Sequence, residues 1–214
     1  MANTPSTGQT WRHTIVNRRT ILSAILLVLV IVVITSNQFW RWMYPIGYQT
    51  DIQQAARVSH VDPLLVASVI RVESKFQTED VSHAGAIGLM QLMPQTAQWI
   101  AQQMRSEGLP YNPSLIGGST ADLSVPAINI HVGAWYIHYL IKQFNGNEVA
   151  AIAAYNAGPK RVKQWLGSGQ WNGELSTITD IPVGETRHFV DRVFYNYNLY
   201  QRIYGGDKAW QAQS

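Results

Sequence analysis

From Thr20 to Trp40 the chain carries no charged residue for 21 consecutive positions. At about 1.5 Å per residue a helix of that length spans roughly a bilayer core. Its centre, Ile21 to Ile34, reads ILSAILLVLVIVVI. A helix apolar on every side has to be buried in a protein core or in lipid. The flanks favour lipid: Arg12, Arg18 and Arg19 precede the stretch, and Trp40, Trp42 and Tyr44 follow it, where an aromatic belt sits at a membrane surface. The positive-inside rule places the N-terminus in the cytoplasm and the residues after about 40 outside the cell membrane. No Ala-x-Ala-like site follows, so a retained single-pass signal anchor is expected rather than a cleaved signal. The expected organisation is a basic stub over 1–20, a transmembrane helix over 20–40, a linker over 41–50 containing Pro45 and Gly47, one domain over 48–204, and a tail over 205–214.

The net charge is +3, and Arg12, Arg18 and Arg19 account for all of it; beyond residue 20 acids and bases balance. A basic nucleic-acid face is therefore not expected. The chain has no cysteine, which excludes disulfides, thiolate catalysis and thiolate metal sites. With 46% hydrophobic and 14% charged residues it can build a packed core.

Apolar residues recur at helical spacing through most of the domain. Asp62-Pro63 starts a helix that runs to Glu73 or Ser74, Pro94 opens another, and Ser124 and Pro126 open one ending near Phe144. Asn147 caps the short EVAAIAAYNAG helix, Pro159 to Leu166 follows, and Glu185 to Tyr204 closes the chain. Ser82 to Gln91 holds Gly85 and Gly88 and reads as a tight, partly extended loop. Residues 106–123 read as a long loop. The fold class is all-α, a single mainly helical domain behind one membrane helix.

Glu73 stands where an apolar helix stops. Apolar surroundings raise a carboxyl's pKa, so that it holds a proton at neutral pH and can give it to a leaving oxygen; alternatively Glu73 pairs with Arg71 or Lys75 at the surface. Ser74 can bond the neighbouring backbone or a reacting group. Gln91 offers amide donors and an acceptor to an acetamido group or a sugar hydroxyl, and Met90 either packs on a sugar ring or fills the core. Tyr155 and Asn156 end a helix beside Gly158; the phenol can orient a carboxyl or sit in the core with its hydroxyl satisfied. Glu185 begins the last helix, where the dipole favours an acid. His131 and His138 share a helix face without a carboxylate to complete a ligand set, and no zincin, phosphate-loop or dinucleotide motif is present. No metal and no cofactor is expected.

Glu73-Ser74, the run Ser82-His-Ala-Gly-Ala-Ile-Gly-Leu-Met-Gln91 and the run Ala154-Tyr-Asn-Ala-Gly-Pro159 follow one another in order. So do Asn129-Ile130 with Gly133, and Ile181-Pro182 with Glu185-Thr186 and Val190. Together they resemble the catalytic domain of the soluble lytic transglycosylase family, within the lysozyme-like superfamily, over about residues 48–204. The resemblance implies cleavage of peptidoglycan strands between N-acetylmuramic acid and N-acetylglucosamine by one acid, Glu73, acting first as acid and then as base, with a 1,6-anhydromuramoyl end as product. It implies substrate contacts from Ser74, Ser82, Met90, Gln91, Tyr155, Asn156 and Glu185. A muramidase using water on the same bond, and a catalytically silent membrane-tethered glycan-binding protein, are the alternatives. The expected partners are glycan strands and, through residues 20–40, the lipid bilayer.

Overall fold

The computed structural model describes residues 17–78, 81–106 and 122–211. It divides into two units, one up to Tyr44 and one from Pro45 onward.

The first unit holds α1 (Arg18–Thr35) and α2 (Asn37–Met43). No side chain of α1 is buried, and the helix is long and apolar enough to cross a membrane. It is shorter than the 20–40 stretch read from the sequence because the chain breaks at Ser36. That residue is extended and its hydroxyl accepts from the Phe39 amide at 3.2 Å, capping α2. The Trp40 indole donates back to the Ile34 carbonyl at 2.8 Å, and Trp40 stacks on Tyr44. The non-helical connection is correspondingly shorter than 41–50: α2 continues to Met43 and the next helix begins at Gln49.

The second unit contains α3 (Gln49–Ser59), α4 (Pro63–Glu73), α5 (Pro94–Ser106), α6 (Pro126–Gln143), α7 (Glu148–Ala157), α8 (Pro159–Gly167) and α9 (Gly184–Tyr204). Among the described residues the only extended pairing is a pair of single antiparallel bridges, Val81 with Ile87 and Ile87 with Leu92. The long loop expected over 106–123 lies almost wholly outside the described residues. α3 packs on α6, α4 on α9, and α7 lies against α6, α8 and α9. Small side chains make the α7 position possible, since Ala150, Ala151, Ala153 and Ala154 are all buried and let neighbouring backbones approach. Residues 205–211 fold back on the domain. Trp210 is buried and its ring meets Tyr204 at 5.7 Å.

α4 carries the site and is fixed at its start. Asp62 caps it by accepting from the Leu64 amide at 2.7 Å. The other oxygen of the same carboxylate accepts from the Tyr197 hydroxyl at 2.8 Å and the Gln201 amide at 3.0 Å, which ties α4 to α9. Pro63 through Ile70 are all buried. A helix so enclosed has little freedom to rotate, so the direction in which its last residue points is set by packing.

Candidate active site

Glu73 is the last residue of α4. The chain turns away at once, with Lys75 and Phe76 both at positive φ, 54° and 67°. For residues with a Cβ that conformation is costly, and such strain gathers at functional sites. The half-buried Glu73 carboxyl is pushed up to about 8, first by burial and then by the negative charge of Glu185, against the opposing pull of the Arg192 guanidinium. With that shift the acid form predominates at neutral pH.

The segment Ser82–Gln91 forms a small hairpin beside it. Ile87 and Leu92 exchange amide-to-carbonyl bonds of 3.0 and 3.1 Å. The Ser82 hydroxyl accepts from the Ala86 amide at 3.0 Å. Three helices hold the hairpin. From the end of α4, Ser74 donates to the Leu89 carbonyl at 2.8 Å. From α6, Asn129 accepts from the Met90 amide at 2.8 Å and donates to the carbonyls of Ile87 at 2.8 Å and Leu123 at 2.9 Å. From α7, Tyr155 donates to the Met90 carbonyl at 2.7 Å. Two glycines permit this closeness. A Cβ on Gly88, whose φ is +77°, would fall 2.4 Å from the Asn129 amide nitrogen, and one on Gly133 would fall 2.3 Å from the Met90 sulfur.

These contacts revise several sequence readings. Met90 is fully buried against Gly133, so its side chain packs in the core and offers no surface to a sugar ring. Ser74 is buried and its hydroxyl is committed to Leu89, so it shapes the hairpin rather than meeting a ligand. Ser82 likewise braces the hairpin. Tyr155 donates its hydrogen bond to a backbone carbonyl rather than to a carboxyl, yet it lies close enough to Glu73 that the Glu73 charge, after burial, helps hold its pKa well above 10. Gln91 is half-buried at φ 45°, and its amide donates to the Gly88 carbonyl at 3.0 Å.

Asn156 is linked to Thr186, the chain neighbour of Glu185. The Thr186 hydroxyl donates to the Asn156 side-chain oxygen at 2.6 Å, joining the end of α7 to the start of α9. Arg187 donates to the Ile181 carbonyl at 2.8 Å from the same turn. Glu185 itself is exposed, and its charge reaches Glu73. Glu73, the hairpin, Tyr155, Asn156 and Glu185 therefore gather around one end of the packed helices. Sequence reasoning had not singled out Arg192 as a site residue. It lies seven positions after Glu185, two turns along the same helix face, and that spacing was the available signal. Asn129 was read only as part of a motif; an amide amid the apolar residues of α6 was the sign of its bracing task. Among the described residues no three His, Asp or Glu side chains come together to hold a metal ion.

One comparison with known proteins matches residues 51–177 to the family model described as Transglycosylase SLT domain. The soluble lytic murein transglycosylase of Escherichia coli (strain K12) is 32% identical over 166 residues, covering 77% of this chain and 24% of that protein. The membrane-bound lytic murein transglycosylase C of Haemophilus influenzae (strain PittGG) is 34% identical over 118 residues, covering 52% of this chain and 31% of that protein. The solved structure of an inactive glutamate-to-glutamine mutant of the lytic transglycosylase Slt from Pseudomonas aeruginosa superposes with a TM-score of 0.66 at 31% identity, over 90% of this chain and 30% of that one. The chain thus spans about a quarter to a third of the length of these proteins.

Proposed function

The chain belongs to the transglycosylase SLT domain family, and on that premise we propose that it cleaves the β-1,4 bond between N-acetylmuramic acid and N-acetylglucosamine in peptidoglycan, leaving 1,6-anhydromuramoyl ends. The observation that carries this reading is the Glu73 carboxyl, half-buried at the end of α4 and holding its proton to about pH 8. A two-carboxylate glycosidase needs one acid that keeps its proton and a partner that loses it. Here Glu73 takes both parts in turn. As the acid it gives its proton to the glycosidic oxygen while the bond to the muramoyl anomeric carbon breaks. The positive charge left on that carbon is met by the substrate's own acetamido group. As the carboxylate, Glu73 then takes the proton of the muramoyl 6-hydroxyl, whose oxygen closes on the anomeric carbon. No water is consumed, and Glu73 ends protonated.

The remaining groups set the stage for that proton. Glu185 makes ionisation of Glu73 harder, and Arg192 makes it easier. Burial sets most of the rise and the two charges adjust it, leaving the pKa near neutrality, where a group that must both give and take a proton acts best. Gln91 and Asn156, both half-buried beside the cleft, offer amides to the substrate's acetamido and hydroxyl groups. In the relative from Pseudomonas aeruginosa, a single glutamate-to-glutamine change defines an inactive mutant, in keeping with a one-carboxyl mechanism.

The apolar α1, with no buried side chain, fits a bilayer anchor. We place the second unit on the outer side of the cell membrane because Arg12, Arg18 and Arg19 come before the apolar run of α1, the last two in its first turn. Added protease should then digest the domain from the outer side only, and a soluble form starting after about residue 36 would replace the anchor with a cleaved signal. Mass spectrometry of products from purified sacculi tests the reaction. Anhydro ends are expected; ends heavier by one water would make the protein a muramidase, and no cleavage at all would leave a glycan-binding protein.

A further inference from the structure

Beyond residue 20 acids and bases balance in number but not in place. From Leu123 to Gly173 the chain has four bases, Lys142, Lys160, Arg161 and Lys163, and one acid, Glu148. Glu148 is turned elsewhere: the charge that acts on it, after burial, is that of Asp62 at the start of α4. The bases come together on the surface. Val162 and Trp165 anchor α8 in the core and leave Lys160, Arg161 and Lys163 exposed. Lys160 and Lys163 lie one turn apart on the same side of the helix. The Lys163 ammonium donates to the Gln143 side-chain oxygen at 2.7 Å and sits 6.0 Å from the Phe144 ring centre. That contact brings it beside the exposed Lys142, in the last turn of α6. Three lysines thus form a stripe from the end of α6 onto α8, with Arg161 on its flank.

Helix stability does not account for this stripe. α8 has no acid in its first turn, where the dipole favours negative charge and Lys160 and Arg161 bring positive charge. Lys160 and Lys163 also repel each other at their spacing. An anion supplied from outside would offset both. The residue types favour phosphate. Lysine is a point charge that meets phosphate oxygens from any side, whereas a carboxylate is best matched by the arginine fork, and the one arginine stands off the line. A stem peptide would also bring an amine, which a row of cations repels. Such a row fits instead a ligand that is negative at every repeat. The stripe is placed to bear on the cleft. Pro159, next to Lys160, and Tyr139, one turn before Lys142, wall one groove together with Tyr136, and the Tyr136 ring meets that of Tyr155 at 5.5 Å.

We propose that the stripe of Lys142, Lys163 and Lys160 docks a polyanion of the cell envelope built on phosphodiester repeats, and so draws the protein to glycan strands that carry such a polymer. The proposal rests on the reading of the second unit as a glycan-cleaving enzyme outside the membrane, and adds to it a preference among strands. The docking belongs to the lysines, and the cleavage chemistry to Glu73.

The experiment has two arms. In the first, the full-length protein in detergent is titrated with linear poly(glycerol phosphate). Affinity should fall steeply with added salt, as binding by counterion release does. Lys160→Gln and Lys163→Gln should each weaken it roughly three- to fivefold, about the worth of one basic residue near an anionic surface, and the triple variant with Lys142→Gln by at least about tenfold. Lys208→Gln, at an exposed base on the C-terminal turn, should leave it unchanged. In the second arm, initial rates are compared on sacculi that retain covalently attached poly(glycerol phosphate) and on the same sacculi stripped of it. The wild type should cut the polymer-bearing material faster. The triple variant should lose that advantage and keep the wild-type rate on stripped sacculi. Salt-independent binding, an equal loss in Lys208→Gln, or displacement of the polymer by a free stem peptide would overturn the proposal. So would protection of Lys160 and Lys163 from an amine-acetylating reagent by phosphatidylglycerol vesicles but not by the polymer. A wild type that binds the polymer through the lysines yet cuts neither kind of sacculus would instead refute the enzymatic reading and leave the docking surface standing.

Discussion

The Tyr155 hydroxyl donates to the Met90 carbonyl across 2.7 Å, joining the last turn of α7 to a hairpin 65 residues earlier in the chain. Its ring is meanwhile set between Tyr136 and Phe189, the latter parallel at 6.3 Å. Tyr155→Phe should keep the ring and lose the tether. A melting experiment should show a loss of about 1 kcal/mol for the missing bond. Turnover on sacculi should fall about 10- to 1,000-fold, the range for a group that positions others or shapes the charge around them. Gln91→Ala should fall in the same range, and full activity in both variants would move the cleft elsewhere.

Glu73→Gln should abolish turnover by about 10²–10⁴-fold or more, since one group serves two proton transfers. It should leave binding of glycan strands intact. Stability should move the other way. The folded protein holds the Glu73 proton to about pH 8, whereas the unfolded chain releases it near the ordinary glutamate value of about 4.3. Between those values the native state binds more protons, so wild-type stability falls as pH rises. The amide has no such penalty. Thermal melts should show Glu73→Gln gaining on the wild type from about pH 4.5 to pH 8 and holding its lead above that. A constant difference across this range would mean that Glu73 is not buried in the way described.

Glu185 and Arg192 should pull the pH profile in opposite directions. The alkaline limb of kcat/KM reports loss of the Glu73 proton in the free enzyme. Glu185→Gln removes a charge that raises the Glu73 pKa, so the limb should shift to lower pH. Arg192→Met removes one that lowers it, so the limb should shift upward. Glu185→Gln should reduce turnover less than Glu73→Gln does. A change in melting temperature alone, with the limb unmoved, would confine Glu185 to its place at the start of α9.

The hairpin should tolerate little change behind it. Asn129→Asp keeps the shape but turns a carboxylate oxygen toward the carbonyls of Ile87 and Leu123, where an amide now donates. Chemical denaturation should record a loss of at least about 2 kcal/mol. Gly133→Ala should cost about 1–3 kcal/mol by driving a methyl into the Met90 sulfur. Shortening Met90 to Val in the same molecule should restore part of that loss, and strictly additive losses would contradict the contact.

Most of the helical framework was legible in the chain because local signals and packing agree. Asp62-Pro63, Pro94, Pro126, Asn147 and Gly158 mark helix ends in sequence and do so in the structure. Glu73 was legible as an acid in apolar surroundings. The tasks of Ser74 and Met90 were not, because which side of a glycine hairpin faces a ligand depends on helices far away in sequence: α6 supplies Gly133 and Asn129, and α7 supplies Tyr155. Nor did periodicity reveal the break at Ser36, where one hydroxyl caps a second helix inside an uncharged run. The burial of Trp210 beyond the last long helix likewise depends on tertiary contact with Tyr204.

The hairpin's attachment to α4, α6 and α7 also decides how the cleft comes apart. Ser74, Asn129 and Tyr155 would have to release it together, and each grips it from a helix that belongs to the core. The amides of Met90 and Leu92 should therefore exchange with solvent at the pace of whole-domain unfolding rather than through local opening. A denaturant series should lose activity and helical signal at one midpoint, because this cleft has no separate transition in which it melts while the domain around it survives.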